Sequence, residues 1–341
     1  MIEFSSKDLA AALASIPTPV KNQVSVLGSY RFTVDDEIMT IKSTDSCLFG
    51  EATIPIKNDG KDAFDVLLTP MLVKALGLGT NEYKLTIKGN VIHNKANKAK
   101  ASFNTTEDWL DLDFLAVYTC VIPSQVAHSL KTASLFASSE RSQLAGVHIN
   151  KRLGTNNIMA TDGHRAYWEI TDDLEMPDFM LPLTIIPFLG KGDVTLSLSE
   201  NMRSIRIDAD NYSVTMAFDA NVEFPRLEQL YPTKYNEIAI RVAKTIETLK
   251  FIQANTAGSC VKIFNSDGAV SLGHKSDIFS VEEVIGEGEV NIDYLGFNPK
   301  YLLPVFSLAD DWLMCYNGGQ NPVLFKNGNI SALIMPVQIR E

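Results

Sequence analysis

The sequence contains few cysteines and histidines, and neither type is clustered. Cys47, Cys120, Cys260 and Cys315 lie far apart in a chain of 341 residues, which argues against the paired spacing of a zinc site and against a disulfide framework. The five histidines show no metal-ligand spacing either. We therefore expect free thiols, no metal and no cofactor.

Long apolar runs are also missing. No stretch approaches the roughly 18 apolar residues that a membrane span requires, and the first residues lack the basic segment and apolar run of a secretory leader. No low-complexity tract occurs, and 45% hydrophobic with 21% charged residues is a globular composition. These features predict a cytoplasmic protein that makes no membrane contact.

Positive charge is in short supply, because 41 acidic residues outweigh 30 basic ones and give a net charge of −11. Such a balance ordinarily argues against a nucleic-acid partner, since phosphate binding needs clustered positive charge. The acids are unevenly placed, however. Residues 69–79, 123–139, 181–192 and 298–309 contain no Asp or Glu, and each segment keeps at least one lysine.

Helical patterns coincide with these acid-free segments. Residues 5–16 place apolar side chains at helical spacing after two serines, and Thr69-Pro70 is a typical helix start. One interpretation is a positive helical surface on an acidic body, and the other is short apolar helices with few charges. The lysines concerned are Lys7, Lys74, Lys131, Lys191, Lys244, Lys250 and Lys300.

The order helix, strands, helix, strands occurs three times along the chain. Leu13, Leu130 and Leu249 of the opening helices are 117 residues apart (from 13 to 130) and 119 residues apart (from 130 to 249). Pro70, Pro182 and Asn298 head the later helices at a similar period. We therefore predict three similar domains over 1–115, 116–233 and 234–341, in which Pro187 and Pro304 shorten or kink two helices.

Residues 160–168, with the sequence ATDGHRAYW, concentrate polar side chains around one glycine. Asp162-Gly163 predicts a tight turn between two strands. Asp162 and His164 would suit an acid/base pair, but no Ser or Cys stands where a nucleophile is needed. The alternatives are a corner whose side chains bind turn backbone groups and a binding surface.

Four motifs resemble the bacterial DNA polymerase III β subunit, the replicative sliding clamp. They are ATDGHR at 160–165, RSQLAGV at 141–147, FP at 224–225 followed by LYP at 230–232, and YLL at 301–303 with ALIMPVQI at 332–339. The resemblance implies an α+β chain of three similar clamp domains, each with two helices and antiparallel sheets. It also implies a ring-shaped, head-to-tail homodimer.

In that family the protein is a processivity factor without a catalytic site. The resemblance implies that the ring encircles duplex DNA without sequence specificity and binds the replicative polymerase, a clamp loader and other clamp-motif proteins. A lining of lysines that contacts phosphates without reading bases is compatible with sliding. The expected location is the cytoplasm, with the nucleoid.

The resemblance also implies a pocket for a partner peptide with apolar anchors. Carried over by position, the pocket comprises Arg141, Leu144, Thr161, Gly163, His164, Arg165, Ala166, Pro225, Gln229, Leu230, Asn298, Tyr301, Pro322, Leu333, Ile334, Met335, Pro336 and Val337. Gln229 stands where a basic residue is usual and Ala166 where a larger aliphatic residue is usual. Arg340-Glu341 extend past the usual end.

A contact between two copies is expected at an outer strand around 100–104, through Ala101 and Phe103, against an edge near 255–262. The alternative is an ordinary basic hairpin, since lysines commonly protect a free strand edge. For function, two alternatives to the clamp stay open. One is a monomeric three-domain peptide-binding scaffold, and the other is an enzyme that uses Asp162 and His164.

Overall fold

The computed structural model describes residues 1–21, 26–59, 63–104, 109–152, 155–171, 174–218, 223–231, 234–255 and 260–339. Pro232 of the LYP motif, the predicted boundary at 233, residues 256–259 of the expected dimer edge and Arg340-Glu341 lie outside these ranges. Within them the helices are α1 (Ser6–Ala14), α2 (Pro70–Leu76), α3 (Ser124–Ser134), α4 (Thr245–Asn255) and α5 (Pro299–Phe306).

The strands alternate with these helices along the chain. In order they are β1 (Ile2–Ser5), β2 (Tyr30–Asp35), β3 (Ile38–Thr44), β4 (Leu48–Pro55), β5 (Lys57–Asn58), β6 (Phe64–Leu68), β7 (Glu82–Lys88), β8 (Val91–Asn94), β9 (Ala99–Ser102), β10 (Ala116–Ile122), β11 (Gly146–Arg152), β12 (Thr155–Thr161), β13 (Arg165–Thr171), β14 (Phe179–Pro182), β15 (Val194–Ser199), β16 (Ser204–Asp208), β17 (Tyr212–Ala217), β18 (Asn236–Arg241), β19 (Val261–Ser266), β20 (Ala269–Lys275), β21 (Ser280–Glu287), β22 (Leu295–Phe297), β23 (Asp311–Tyr316), β24 (Val323–Asn327) and β25 (Ile330–Ile334). The fold is therefore α+β, as predicted.

The chain forms two compact units. The first unit comprises Met1–Ala127, Leu174–Met176 and Thr184–Ala220, and the second comprises His128–Asp173, Pro177–Leu183 and Asn221–Glu341. In the first unit the sheets run β5-β1-β7-β8-β9 and β10-β15-β16-β17-β4-β3-β2-β6; in the second they run β14-β11-β12-β13-β25-β24-β23-β18 and β21-β20-β19-β22. Each described pair of neighbouring strands is antiparallel, including the joints β17–β4 and β13–β25.

Alternating burial along the strands builds the core of each unit. In β2 of the first unit, Phe32 and Val34 are buried while Thr33 between them is half-buried. In the second unit, Met159 of β12, Leu324 of β24 and Leu333 of β25 belong to one buried apolar cluster. No helix among the described ranges is long and apolar enough to span a membrane.

Three helices begin where the sequence predicts. The Ser5 hydroxyl accepts a hydrogen bond from the backbone N–H of Lys7 at 3.1 Å, ahead of α1. The Thr69 hydroxyl caps α2, and the Asn298 side chain accepts from the N–H of Lys300 at 2.9 Å at the start of α5. Each cap satisfies a backbone donor that the first helical turn leaves without a partner.

The helix predicted over 181–192 is wrong. The segment begins inside β14, which ends at Pro182, and contains only a 3₁₀ turn at Ile186–Phe188. Pro187 lacks a backbone N–H, and Gly190 has a φ of +32°, so neither supports a longer helix. Pro304, in contrast, lies inside α5, which continues to Phe306.

The third opening helix begins four residues later than predicted. Ile238, Ile240 and Val242 are buried at alternate positions, so the segment around Arg241 continues the period of β18. The helix α4 then starts at Thr245, whose hydroxyl donates to the carbonyl of Val242 at 2.7 Å. The three-domain boundaries stay a prediction, since both eight-stranded sheets join strands from neighbouring predicted domains.

Candidate functional site

The ATDGHR corner is a turn closed by its own side chains. It joins β12 to β13, which pair antiparallel with Thr161 opposite Ala166. The Thr161 hydroxyl donates to the carbonyl of Arg165 at 2.7 Å and accepts from the N–H of Gly163 at 3.1 Å. One oxygen of Asp162 accepts from the N–H groups of His164 and Arg165 at 2.9 and 3.0 Å. The predicted turn is thereby confirmed.

Gly163 occupies the corner with a φ of +89°. Gly163→Ala is expected to lower the free energy of unfolding by about 1–2 kcal/mol, because a Cβ disfavours a positive φ. A Cβ there would lie 3.7 Å from Arg141 and 3.9 Å from Leu144, so no clash adds to the cost. Urea denaturation measures the loss. Gly319→Ala, whose glycine has no positive φ, is the control, and an equal loss in both variants would contradict this reason.

Arg165 is the buried centre of the corner, with 8% of its surface exposed. Its Nε donates to the second oxygen of Asp162 at 2.9 Å, and Nη2 donates to the carbonyl of Leu135 at 2.6 Å. The guanidinium lies 4.9 Å from the ring centre of Phe136 and 5.5 Å from that of Tyr301. Nη1 is buried without a hydrogen-bond partner among the described residues.

His164 stacks on Tyr301, with ring centres 5.3 Å apart and planes inclined by 14°. Asp162 is fully engaged by backbone N–H groups and by Arg165. The carboxylate therefore holds the corner, and the imidazole packs against an aromatic ring. This arrangement favours the binding-surface interpretation over an acid/base pair.

A cleft of about 240 Å³ opens beside this corner. Its walls combine apolar side chains with a few polar groups from the corner. The lining residues are Arg141, Gln143, Leu144, Thr161, Gly163, His164, Arg165, Ala166, Pro225, Leu227, Leu230, Leu333 and Met335. A concave apolar surface with few convergent donors suits an apolar peptide segment more than a highly charged ligand.

The cleft is assembled from four parts of the second unit. Leu144 comes from a 3₁₀ turn at Ser142–Leu144, and a second 3₁₀ turn at Leu227–Leu230 supplies the opposite wall. Leu333 of β25 lies opposite Ala166 of β13 in the ladder. The N–H of Met335 donates to the carbonyl of His164 at 2.9 Å, which fixes the final segment against the corner.

Side chains on both faces of β13 form hydrogen bonds next to the cleft. The phenol of Tyr167 donates to Glu169 at 2.5 Å, and the other oxygen of Glu169 accepts from the Ser129 hydroxyl at 2.9 Å. Burial, followed by the bond to Glu169, raises the pKa of Tyr167. The indole of Trp168 donates to Asn157 at 2.8 Å. These hydrogen bonds fix the positions of the side chains next to the cleft.

The structure brings most of the predicted pocket together. Arg141, Leu144, Thr161, Gly163, His164, Arg165, Ala166, Pro225, Leu230, Leu333 and Met335 line one cleft, and Tyr301 adjoins it through His164 and Arg165. Gln229, Asn298, Pro322, Ile334, Pro336 and Val337 do not line it. Ile334 is fully buried, and Asn298 caps α5.

Two residues that line the cleft were not predicted from the sequence. Gln143 lies inside the RSQLAGV motif, between two predicted pocket residues. Leu227 is 4% exposed and packs with Leu324 and Leu333. The spacing of Leu227 to Leu230 is helical, and this pattern was a signal for a short turn that presents both leucines on one face.

The predicted DNA-facing lysines are mostly exposed. Lys7, Lys74, Lys250 and Lys300 lie on α1, α2, α4 and α5, and Lys244 directly precedes α4. Lys131 on α3 is half-buried. Lys191 follows the 3₁₀ turn that replaces the predicted helix, and it too is exposed. No group of three or more His, Cys, Asp or Glu side chains in the described ranges could hold a metal ion.

The side chains of Ala101 and Phe103 face the core of the first unit, where they are 5% and 8% exposed. Lys100, just before Ala101, and Ser102, between the two, point outward. The strand β9 is nevertheless an edge of its sheet. A second chain would therefore meet its backbone and its outward side chains, and the dimer contact at Ala101 and Phe103 stays a prediction.

The prediction that residues 255–262 form a free strand edge is wrong in its described part. β19 begins at Val261 and lies inside its sheet, paired with β20 on one side and β22 on the other. Such a strand has no free ladder groups at this end. The free long edge of that sheet is β21.

No protein-family model and no curated protein sequence matches the chain. Solved structures do match over nearly its whole length, and bacterial sliding clamps are among them. The chain therefore has the α+β clamp fold, with the cleft formed by the second unit.

Three of these structures are bacterial DNA polymerase III β subunits from different organisms. That of Streptococcus pneumoniae is 18% identical with a TM-score of 0.84 and covers 99% of both chains. That of Thermotoga maritima is 15% identical with a TM-score of 0.81 and covers 100% of both. The Pseudomonas aeruginosa clamp bound to griselimycin is 15% identical with a TM-score of 0.84 and covers 99% of both.

Proposed function

We propose that this protein is a DNA polymerase processivity factor. Two copies close into a head-to-tail ring that encircles duplex DNA and tethers the replicative polymerase and other clamp-motif proteins through the cleft. A clamp loader would open the ring, which works in the cytoplasm at the nucleoid. The chain acts as an accessory subunit without a catalytic site of its own.

One observation carries this proposal, namely the way in which the sheets join. Apart from β5, the four sheets divide into six sets of four consecutively paired strands. Three sets end in β9 (β1, β7, β8, β9), β17 (β10, β15, β16, β17) and β25 (β18, β23, β24, β25), and in the other three the third strand is β4 (β2, β3, β4, β6), β13 (β11, β12, β13, β14) or β21 (β19, β20, β21, β22). β17 pairs with β4 and β25 pairs with β13, so that β9 and β21 are the two end strands without such a joint among the described strands. A second copy supplies the missing joint, β9 against β21, and the symmetric contact closes the ring.

Charge and exposure support this joint. Lys95, Lys98 and Lys100 lie in and beside β9, and the described residues place no carboxylate within ion-pair distance of them. β21 carries Glu282, Glu283 and Glu287, and Asp277 and Glu289 lie close by in sequence. β21 is an edge strand, and the apolar side chain of its Val284 is 68% exposed. Opposite charges on two free edges favour pairing in a fixed direction.

The lysines support the DNA partner. The acid-free helices α2, α3 and α5 each keep a lysine, and Lys191 follows the 3₁₀ turn at Ile186–Phe188, in a protein of net charge −11. In a closed ring of three-part chains these segments would line the hole, and the acids elsewhere would repel DNA from the outside. Contacts of this kind bind phosphate without reading sequence, so the ring slides.

The oligomeric state tests the ring against the monomeric scaffold. We expect sedimentation equilibrium to give a mass of two chains at micromolar concentration. Lys100→Glu is expected to weaken the dimer at least tenfold, because it places a negative charge beside the acids of β21. Lys151→Glu, on β11, is the control. A wild-type mass of one chain, or equal dimerisation of Lys100→Glu and wild type, would contradict the proposed joint.

A further inference from the structure

A second and larger cavity, of about 1060 Å³, lies on the outer face of the four-stranded sheet of the second unit. Val261 and Ile263 of β19 are fully buried in the core, so Lys262 and Phe264 face the opposite side. We call this cavity the sheet groove. Its chief lining side chains are Lys262, Phe264, Lys275, Glu282, Asp293 and Tyr294.

Charge is ordered across the sheet groove. In the strand order β21-β20-β19-β22, Glu282 stands on the first strand, Lys275 on the second and Lys262 on the third, and Asp293 lies just before the fourth. The centre is therefore cationic and the two rims are acidic. A carboxylate would be attracted to the middle of the groove and repelled from its rims.

Aromatic side chains accompany the central lysines. The ammonium of Lys262 lies 4.8 Å from the ring centre of Tyr294. The ring of Phe264 covers Gly273, where an added Cβ would lie 3.0 Å from it. An apolar side chain next to a carboxylate would thus find a complementary surface.

The final segment of the chain connects the sheet groove to the cleft. Met335 lines the cleft, whereas Gln338 and Ile339 line the sheet groove. The N–H of Val337 donates to the carbonyl of Gly296 at 2.8 Å, so the segment lies along β22. Four extended residues span at most about 14 Å. A peptide anchored in the cleft therefore reaches the sheet groove within a few residues.

We propose that the sheet groove binds a second, extended stretch of the same partner whose apolar anchors occupy the cleft. That stretch carries a carboxylate, seated over Lys262 and Lys275, next to an aromatic or aliphatic side chain against Phe264 and Tyr294. The proposal rests on the proposed function, since it requires a partner peptide in the cleft. It adds a chemical preference for residues outside the anchor, namely acidic and apolar ones.

Fluorescence polarisation with synthetic peptides tests this proposal. The probes are a short peptide with Leu and Phe anchors, and the same peptide extended at either end by Gly-Ser-Gly-Phe-Glu-Glu. We expect one extended peptide to bind at least fivefold more tightly than the short one. The double variant Lys262→Ala, Lys275→Ala should abolish that gain and leave the affinity for the short peptide unchanged. Lys151→Ala, on β11, is the control.

The outcomes separate this proposal from the proposed function. Extended peptides that bind no better than the short one, or a gain that survives in the double variant, would overturn the second contact and leave the cleft intact. An extension with Lys in place of Glu should give no gain, and an equal gain would overturn the preference for carboxylates. Failure of the short peptide to bind wild-type protein would instead count against the cleft itself.

Discussion

Replacing Arg165 by alanine is expected to lower the free energy of unfolding of the second unit by about 3 kcal/mol and to abolish peptide binding. The guanidinium is buried between the rings of Phe136 and Tyr301 and binds both Asp162 and the Leu135 carbonyl. Removing one member of a buried ion pair leaves the other charge uncompensated, which typically costs about 3–5 kcal/mol. Asp162 retains two backbone donors, so we expect the lower end.

Two variants isolate the cause. Arg165→Lys keeps the charge but loses the planar fork that reaches both Asp162 and Leu135, so it should lose less stability than alanine and still bind peptide weakly. His164→Ala removes an exposed ring from the same turn and should change the free energy of unfolding by less than about 1 kcal/mol. Chemical denaturation gives all three values. A small loss for Arg165→Ala would contradict the role of Arg165 as the centre of the corner.

The second large effect is expected for Met335→Ala in a chain that also lacks residues 337–341. Met335 lines the cleft and packs on its leucines, and a thioether adapts to differently shaped anchors. Loss of a central anchor contact typically costs about 2 kcal/mol or more, so binding of the short Leu and Phe peptide should fall at least tenfold. Titration calorimetry measures the affinity.

The same variant should remain a dimer, because the proposed joint uses β9 and β21 and not the final segment. Met71→Ala, which replaces an exposed methionine on α2, is the matched control and should leave peptide affinity unchanged. A dimer that dissociates in the Met335 variant would contradict a purely peptide-binding role for the end of the chain.

Local signals in the sequence were sufficient for several elements. The capping residues Ser5, Thr69 and Asn298 and the Asp162-Gly163 turn all occupy their predicted places. Each is determined by a side chain and a backbone group within a few residues. The pocket residues came instead from the resemblance of short motifs to a known family, and eleven of those eighteen residues line one cleft.

Elements that depend on long-range pairing were harder to predict. Residues 181–192 are apolar and acid-free, and Pro187 and Gly190 argue against a long helix, but the strand at their start depends on its pairing with β11. The position of β19 inside its sheet depends on β22, more than 25 residues later. The inward orientation of the Ala101 and Phe103 side chains, in contrast, follows from alternation with Lys100 and Ser102.

The most direct test of the clamp is retention on DNA of two shapes. The protein is loaded by a clamp loader onto a nicked circular duplex, free protein is removed by gel filtration, and half of the sample is cut once with a restriction enzyme. A ring held topologically should stay on the circle and be lost from the linear molecule. Equal retention on both would contradict encirclement and indicate ordinary electrostatic binding.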